Sequence, residues 1–123
     1  EQILEHVRAV SDYFLDQLIT LTALPLVREV RGQGLMAAIE LMPPRDLLSG
    51  SALDQDYVLG DLVDECCYAR GLIVRPLINV CVISPPLIIT RVQIDELVEK
   101  FRAGIEAASI ELSRRYPSTG ERL

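Results

Sequence analysis

Arg75 is the side chain in this chain of 123 residues whose position asks most for a chemical reason. It sits inside an apolar run, residues 72–77, where its neighbours are Val74 and Pro76. A guanidinium withdrawn from water without a partner costs several kcal/mol, so Arg75 must face solvent, an internal carboxylate such as Glu40 on a neighbouring strand, or an anionic ligand. On a ligand, its fork would grip a carboxylate or phosphate through two parallel hydrogen bonds.

The other reactive side chains read more plainly. Arg31 precedes Gly32 and Gly34 and is placed to meet an anion, although a surface arginine needs no ligand. His6 stands among Glu5 and Arg8 with no Ser or Cys nucleophile that the sequence sets beside it, which suits a rim histidine. Asp61, Asp64 and Glu65 fit a solvated helix face better than a metal site. Cys66, Cys67 and Cys81 are odd in number, two of them adjacent, with no second His or Cys pair at ligand spacing. That points to a reducing cytoplasm and away from zinc. The single lysine, Lys100, falls on the exposed face of the last helix beside Glu96. Gly32, Gly34 and Ala37 spell G-x-G-x-x-A, but a dinucleotide fingerprint needs a helix directly after the glycines. Residues 35–41 continue as a strand that ends at Pro43-Pro44, so the glycines serve a bend or a close backbone approach.

These residues need elements to hold them. Residues 72–77 and 80–84 alternate in side-chain direction and are broken by Pro76, Asn79 and Pro85-Pro86, the pattern of two short strands. With a period of two, Ile73 and Arg75 share one face, and Leu72 and Val74 share the other. Thr90 and Gln93 form a capping box for a helix to about Arg115. Its apolar row is Ile94, Leu97, Val98, Phe101, Ile105, Ala108 and Leu112. Residues 1–21 carry Ile3, Leu4, Val7, Val10, Phe14, Leu18 and Leu21 at helical spacing. Pro25 closes that region, a strand follows to a break at Gly32 and Gly34, and residues 36–41 form the next strand. Residues 45–52 are a loop, and Ser51 or Asp54 caps a helix whose inner face is read as Leu53, Tyr57, Val58, Leu62, Val63, Cys66 and Ala69, with Gly71 as its stop. The order helix, strand, strand, helix, strand, strand, helix gives an α+β fold: a small, mainly antiparallel sheet with helices on one face. Residues 1–115 form one domain, and 116–123 form a polar tail expected to fray.

Composition narrows the function. Net charge is −6 with dispersed arginines, which argues against nucleic-acid binding. Residues 71–90 hold one charge, yet Arg75, Asn79 and three prolines argue against a spanning helix. Mean hydropathy is +0.27 with no Trp, so some apolar surface is expected to meet another domain or chain, unless the core is simply very aliphatic. The chain starts at Glu1 without Met, in a helix with no cap, as a segment cut from a longer polypeptide would.

Three segments in order, RGQGLMAAIEL at 31–41, ARGLIVRPL at 69–77 and SPPLIITRVQIDELVEKF at 84–101, resemble the C-terminal small domain of class III pyridoxal-phosphate aminotransferases, and the likeness covers residues 1–113. It implies the C-terminal fold of fold type I enzymes and a parent that moves an amino group between an amine or amino acid and a 2-oxo acid. It also implies that pyridoxal 5'-phosphate is bound by a large domain outside this chain, with a homodimer as the full-length enzyme. No catalytic or cofactor-binding residue is assigned here. The matching arginine of similar relatives binds a substrate carboxylate and swings away for an uncharged amine, which makes Arg75 the candidate substrate-binding residue. The chain departs from the family in having Ile78-Asn79 where Gly-Asp is common. Ile disfavours positive φ, so a tight two-residue hairpin is not expected there, and how the connection folds is left open. Alternatives are a stand-alone α+β interaction or amino-acid-binding module without catalysis, and a decarboxylase or aminomutase on the same cofactor framework.

Overall fold

A computed structural model describes residues 2–44 and 50–115. In chain order it holds α1 (Gln2–Ile19), a 3-10 turn (Thr20–Ala23), β1 (Val27–Gln33), β2 (Met36–Leu41), α2 (Ala52–Tyr68), β3 (Arg75–Leu77), β4 (Val80–Ile83) and α3 (Arg91–Arg115). The four strands form one antiparallel sheet in the order β1-β2-β4-β3. This is the expected α+β architecture. Most of the expected loop at 45–52 and the whole tail at 116–123 lie outside the described residues. Among the described residues no helix is long and apolar enough to cross a membrane.

α3 forms as its local signals dictate. The Thr90 N–H donates to Gln93 Oε1 at 3.0 Å and the Gln93 N–H donates to Thr90 Oγ1 at 3.2 Å, closing the capping box. Ile94, Val98, Phe101, Ile105, Ala108 and Leu112 are buried along one stripe, with Leu97 at its margin. α1 buries Val10, Phe14 and Leu18. Ile3 and Leu4, read as part of that row, remain 50% and 61% exposed. Ile3 lines a surface depression with His6, Leu87 and Ile88. The Tyr13 hydroxyl donates to Asp95 while the Arg91 guanidinium lies 4.6 Å from the Tyr13 ring centre, tying α1 to the start of α3.

The inner face of α2 differs from the sequence reading. Gln55, Leu59, Gly60, Leu62, Val63 and Cys67 are buried, whereas Leu53, Tyr57 and Ala69 are exposed and Cys66 is half-buried. Two close approaches fix the rotation. A β-carbon on Gly60 would stand 1.8 Å from the Ile78 carbonyl oxygen, and one on Gly104 of α3 would stand 2.5 Å from Cys67 Sγ. Bare backbone at both points sets how α2 lies, and an apolar count cannot register a glycine as a contact. At its start Ser51 and Asp54 form a capping box. At its end Gly71, at φ 82, carries a Schellman closure, with the Leu72 N–H donating to the Cys67 carbonyl at 2.9 Å and the Gly71 N–H to Tyr68 at 3.0 Å.

That closure explains why β3 is shorter than expected. The Leu72 N–H belongs to the helix cap, and ladder pairing begins only at Arg75, although the alternation holds: Leu72 and Val74 are buried, Ile73 and Arg75 exposed. Gln33 pairs with Met36 across a two-residue turn that Gly34 opens at φ 60, so the strand runs through Gly32 without the expected break. A second two-residue turn joins β3 to β4, since Leu77 pairs with Val80. Ile78 adopts φ 60 there, the only positive-φ residue besides glycines among the described residues. The sequence argued against a tight hairpin at this connection, and the structure forms one. Asn79 secures it: its Nδ2 donates to the Leu41 carbonyl at 2.9 Å, and the Leu41 N–H donates back to the Asn79 carbonyl at 2.8 Å.

Candidate functional site

Register decides which side chains share a face. Arg31 pairs with Ala38, Ala38 with Val82, and Val82 with Arg75, so these four residues form one rung across the sheet with their side chains on the same side. The next rung places Glu29, Glu40, Val80 and Leu77 on that side too. The opposite side holds Ala37, Ile39, Leu41, Cys81 and Ile83, all buried beneath the helices. The Arg75 side is the bare one: Met36, Ile73 and Leu77 are exposed there beside the half-buried floor of Ala38, Val80 and Val82.

Charge on this bare face is unevenly settled. Glu29 and Glu40 face each other directly, an unfavourable pair for like charges. Arg31 resolves it, reaching Glu40 at 2.9 Å and Glu29 at 3.5 Å, and Arg28 adds a contact to Glu40 at 3.5 Å. Hydrogen bonding to Glu40 raises the Arg31 pKa further, so its charge is fixed and already matched. Arg75 stands three strand spacings away, about 14 Å. Among the described residues no carboxylate pairs with it, and Glu40, its candidate structural partner, is taken by Arg31. A shallow depression beside Arg75 is lined by Ile73, Val74, Val82 and Ser84. The arrangement offers one unmatched guanidinium at the edge of an apolar floor, which suits a carboxylate carried on an otherwise uncharged molecule.

The remaining candidates are not drawn into this site. His6 Nε2 donates to the Ile89 carbonyl at 2.6 Å, a rim contact between α1 and the segment before α3. Asp61 and Glu65 are exposed on α2 and Asp64 is half-buried, and among the described residues no three His, Cys, Asp or Glu side chains group as metal ligands. All three cysteines are free. Burial pushes the Cys67 and Cys81 thiols up to about 12, so neither is a ready nucleophile. The sequence reading missed the pairing of Arg28 with Glu40 and the part played by Gly60. Strict alternation sets Arg28 on the face opposite Glu29, and the register shift between Val27 and Glu29 is what brings it to Glu40, so nothing local marked either feature.

The sequence profile described as aminotransferase class-III matches residues 1–105. The chain belongs to the class-III aminotransferase family. Among curated members it is 38% identical over 99 residues to a putrescine–pyruvate aminotransferase of Pseudomonas aeruginosa, covering 80% of this chain and 21% of that protein. Among solved members, a transaminase with L-alanine superposes with a TM-score of 0.80 at 31% identity, over 90% of this chain and 26% of that one. A PLP-bound aminotransferase mutant from Vibrio fluvialis gives a TM-score of 0.77 at 28% identity, over 89% of this chain and 24% of that one. The chain thus spans between a fifth and about a quarter of the length of these class-III relatives.

Pyridoxal phosphate is the family's cofactor, and it needs a lysine amine aimed into a pocket. The residues present do not fit it. Lys100 is exposed on α3, its Nζ 3.8 Å from where a β-carbon on Gly71 would stand, over the end of α2 and in the helical layer instead of on the bare sheet face. The one lysine of this chain is therefore not placed to hold the cofactor.

Proposed function

We propose that this chain is the C-terminal small domain of a pyridoxal-phosphate aminotransferase, and that Arg75 receives the carboxylate of the amino-acid or 2-oxo-acid substrate. The single observation that carries the reading is the unmatched guanidinium on the bare sheet face, where Glu40 is already held by Arg31. In this reading the large domain of the same polypeptide brings the lysine, the acid beside the pyridine nitrogen and the phosphate donors. It covers the bare face, and the small domain closes the site over the substrate. Covering removes water, and a charge–charge contact gains strength as the surrounding dielectric falls. A two-pronged Arg75 contact then fixes orientation as well as charge, and the length of the side chain lets it withdraw when the substrate is an uncharged amine. The full enzyme works as a homodimer, and a reducing cytoplasm suits its three free thiols.

The test is made on the complete native polypeptide that carries this segment. It is expected to show the visible absorbance of bound pyridoxal phosphate and to move an amino group from an amine to a 2-oxo acid. A colourless protein that binds an amino acid without turning it over would support a binding module instead.

A further inference from the structure

Among the described residues Arg75 has no ion pair to steer it, so its aim comes from its backbone. That backbone is slender: β3 has three residues and pairs only with β4. The hairpin three residues further on therefore sets where the strand lies. Its first turn residue, Ile78, holds φ 60, which a β-branched side chain adopts only when its surroundings enforce it. Two groups enforce it from opposite sides. On the helix side, Gly60 lets the Ile78 carbonyl come so close that a β-carbon there would stand 1.8 Å from the oxygen. On the sheet side, Asn79 is bonded twice to Leu41, through its side chain at 2.9 Å and its carbonyl at 2.8 Å. α2 itself cannot easily back away, because Cys67 one face along is seated on Gly104 of α3.

We propose that Gly60 and Asn79 are positioning residues for Arg75: they clamp the Leu77–Val80 hairpin between α2 and β2 and thereby hold the guanidinium at the height where a substrate carboxylate meets it. The inference rests on the reading of Arg75 given above. A backbone carbonyl cannot swing aside as a side-chain tip does, so a methyl group at position 60 must displace the hairpin and Arg75 with it.

The complete native polypeptide tests this with Gly60→Ala, Asn79→Ala, Arg75→Ala and the two double variants that include Arg75→Ala, each assayed for KM and kcat with a 2-oxo acid and with a carboxylate-free amine. Gly60→Ala is expected to raise KM for the 2-oxo acid about tenfold, as small misplacements of a binding group do, while KM for the amine moves less than about twofold. In the Arg75→Ala background the same change is expected to add nothing, because both act through one contact. Should Gly60→Ala fail to fold, Asn79→Ala reads out the same split at about threefold. Equal rises for both substrates, a loss confined to kcat, or effects that add fully to those of Arg75→Ala would overturn the clamp while leaving the Arg75 reading intact. An Arg75→Ala variant with unchanged KM for the 2-oxo acid would overturn that reading, and the clamp with it.

Discussion

β2 and β4 make two unlike faces from alternate residues of the same strands. Inward, Ala37, Ile39, Leu41, Cys81 and Ile83 are buried under three helices. Outward, Met36, Ala38, Glu40, Val80 and Val82 lie open beside Arg31 and Arg75. The inner face is closed by residues of this chain, whereas the outer face is apolar in its floor and charged at its margins with no cover among the described residues. Because side chains alternate with a period of two, slipping a strand by one residue would bury Arg75 and expose Cys81. Packing of the inner face thus fixes the direction of the chemistry on the outer one. Changes inward should act on stability, and changes outward on substrate handling.

The sharpest contrast is expected in thiol reactivity. Cys81 lies on the inner face with its pKa pushed up to about 12, mainly by burial, so in the native state its alkylation at neutral pH should be at least about a thousandfold slower than that of an unhindered thiol. Quenched labelling with mass spectrometry measures it, and rapid native labelling of Cys81 would mean that the inner face opens. Next in size, Ile39→Ala on the inner face should cost about 2–5 kcal/mol of stability through lost burial and the cavity left behind. Ile73→Ala, at a position 77% exposed beside Arg75, should stay within about 0.5 kcal/mol. Denaturant midpoints of the two variants compare the faces directly, and similar losses would contradict the division of labour. Also small, Glu40→Gln on the outer face should cost no more than about 1 kcal/mol, and less in high salt, because the Arg28 and Arg31 partners are about half exposed or more. A large or salt-independent loss would move Glu40 into the structural class.

Much of this division could be read before any coordinates. The α+β order and the boundaries of α3 follow from local signals, the Thr90–Gln93 box and the stripe from Ile94 to Leu112. The period of two set Arg75 on one face with Ile73, opposite Leu72 and Val74, and the structure shows that this face is the exposed one. The rest depended on contacts between residues distant in sequence. The buried face of α2 was misplaced because Gly60 and Gly104 act as close-contact points without being apolar in the usual sense. Ile78 could hold a tight turn because Gly60, eighteen positions earlier, leaves room for its carbonyl, and Leu41 binds Asn79 from the other side. Whether Glu40 served Arg75 or Arg31 could be settled only by the strand order, which sets β4 between Glu40 and β3.

The central claim is that Arg75 meets a substrate carboxylate, and the most direct measurement is the ratio of KM values for a 2-oxo acid and a carboxylate-free amine in the Arg75→Ala variant of the complete polypeptide. Loss of a charge-assisted contact worth about 1.5–3 kcal/mol should raise KM for the 2-oxo acid by roughly ten- to a hundredfold and leave that for the amine nearly unchanged. A ratio equal to that of the parent protein would contradict the account and return Arg75 to the solvent-exposed arginines of the surface.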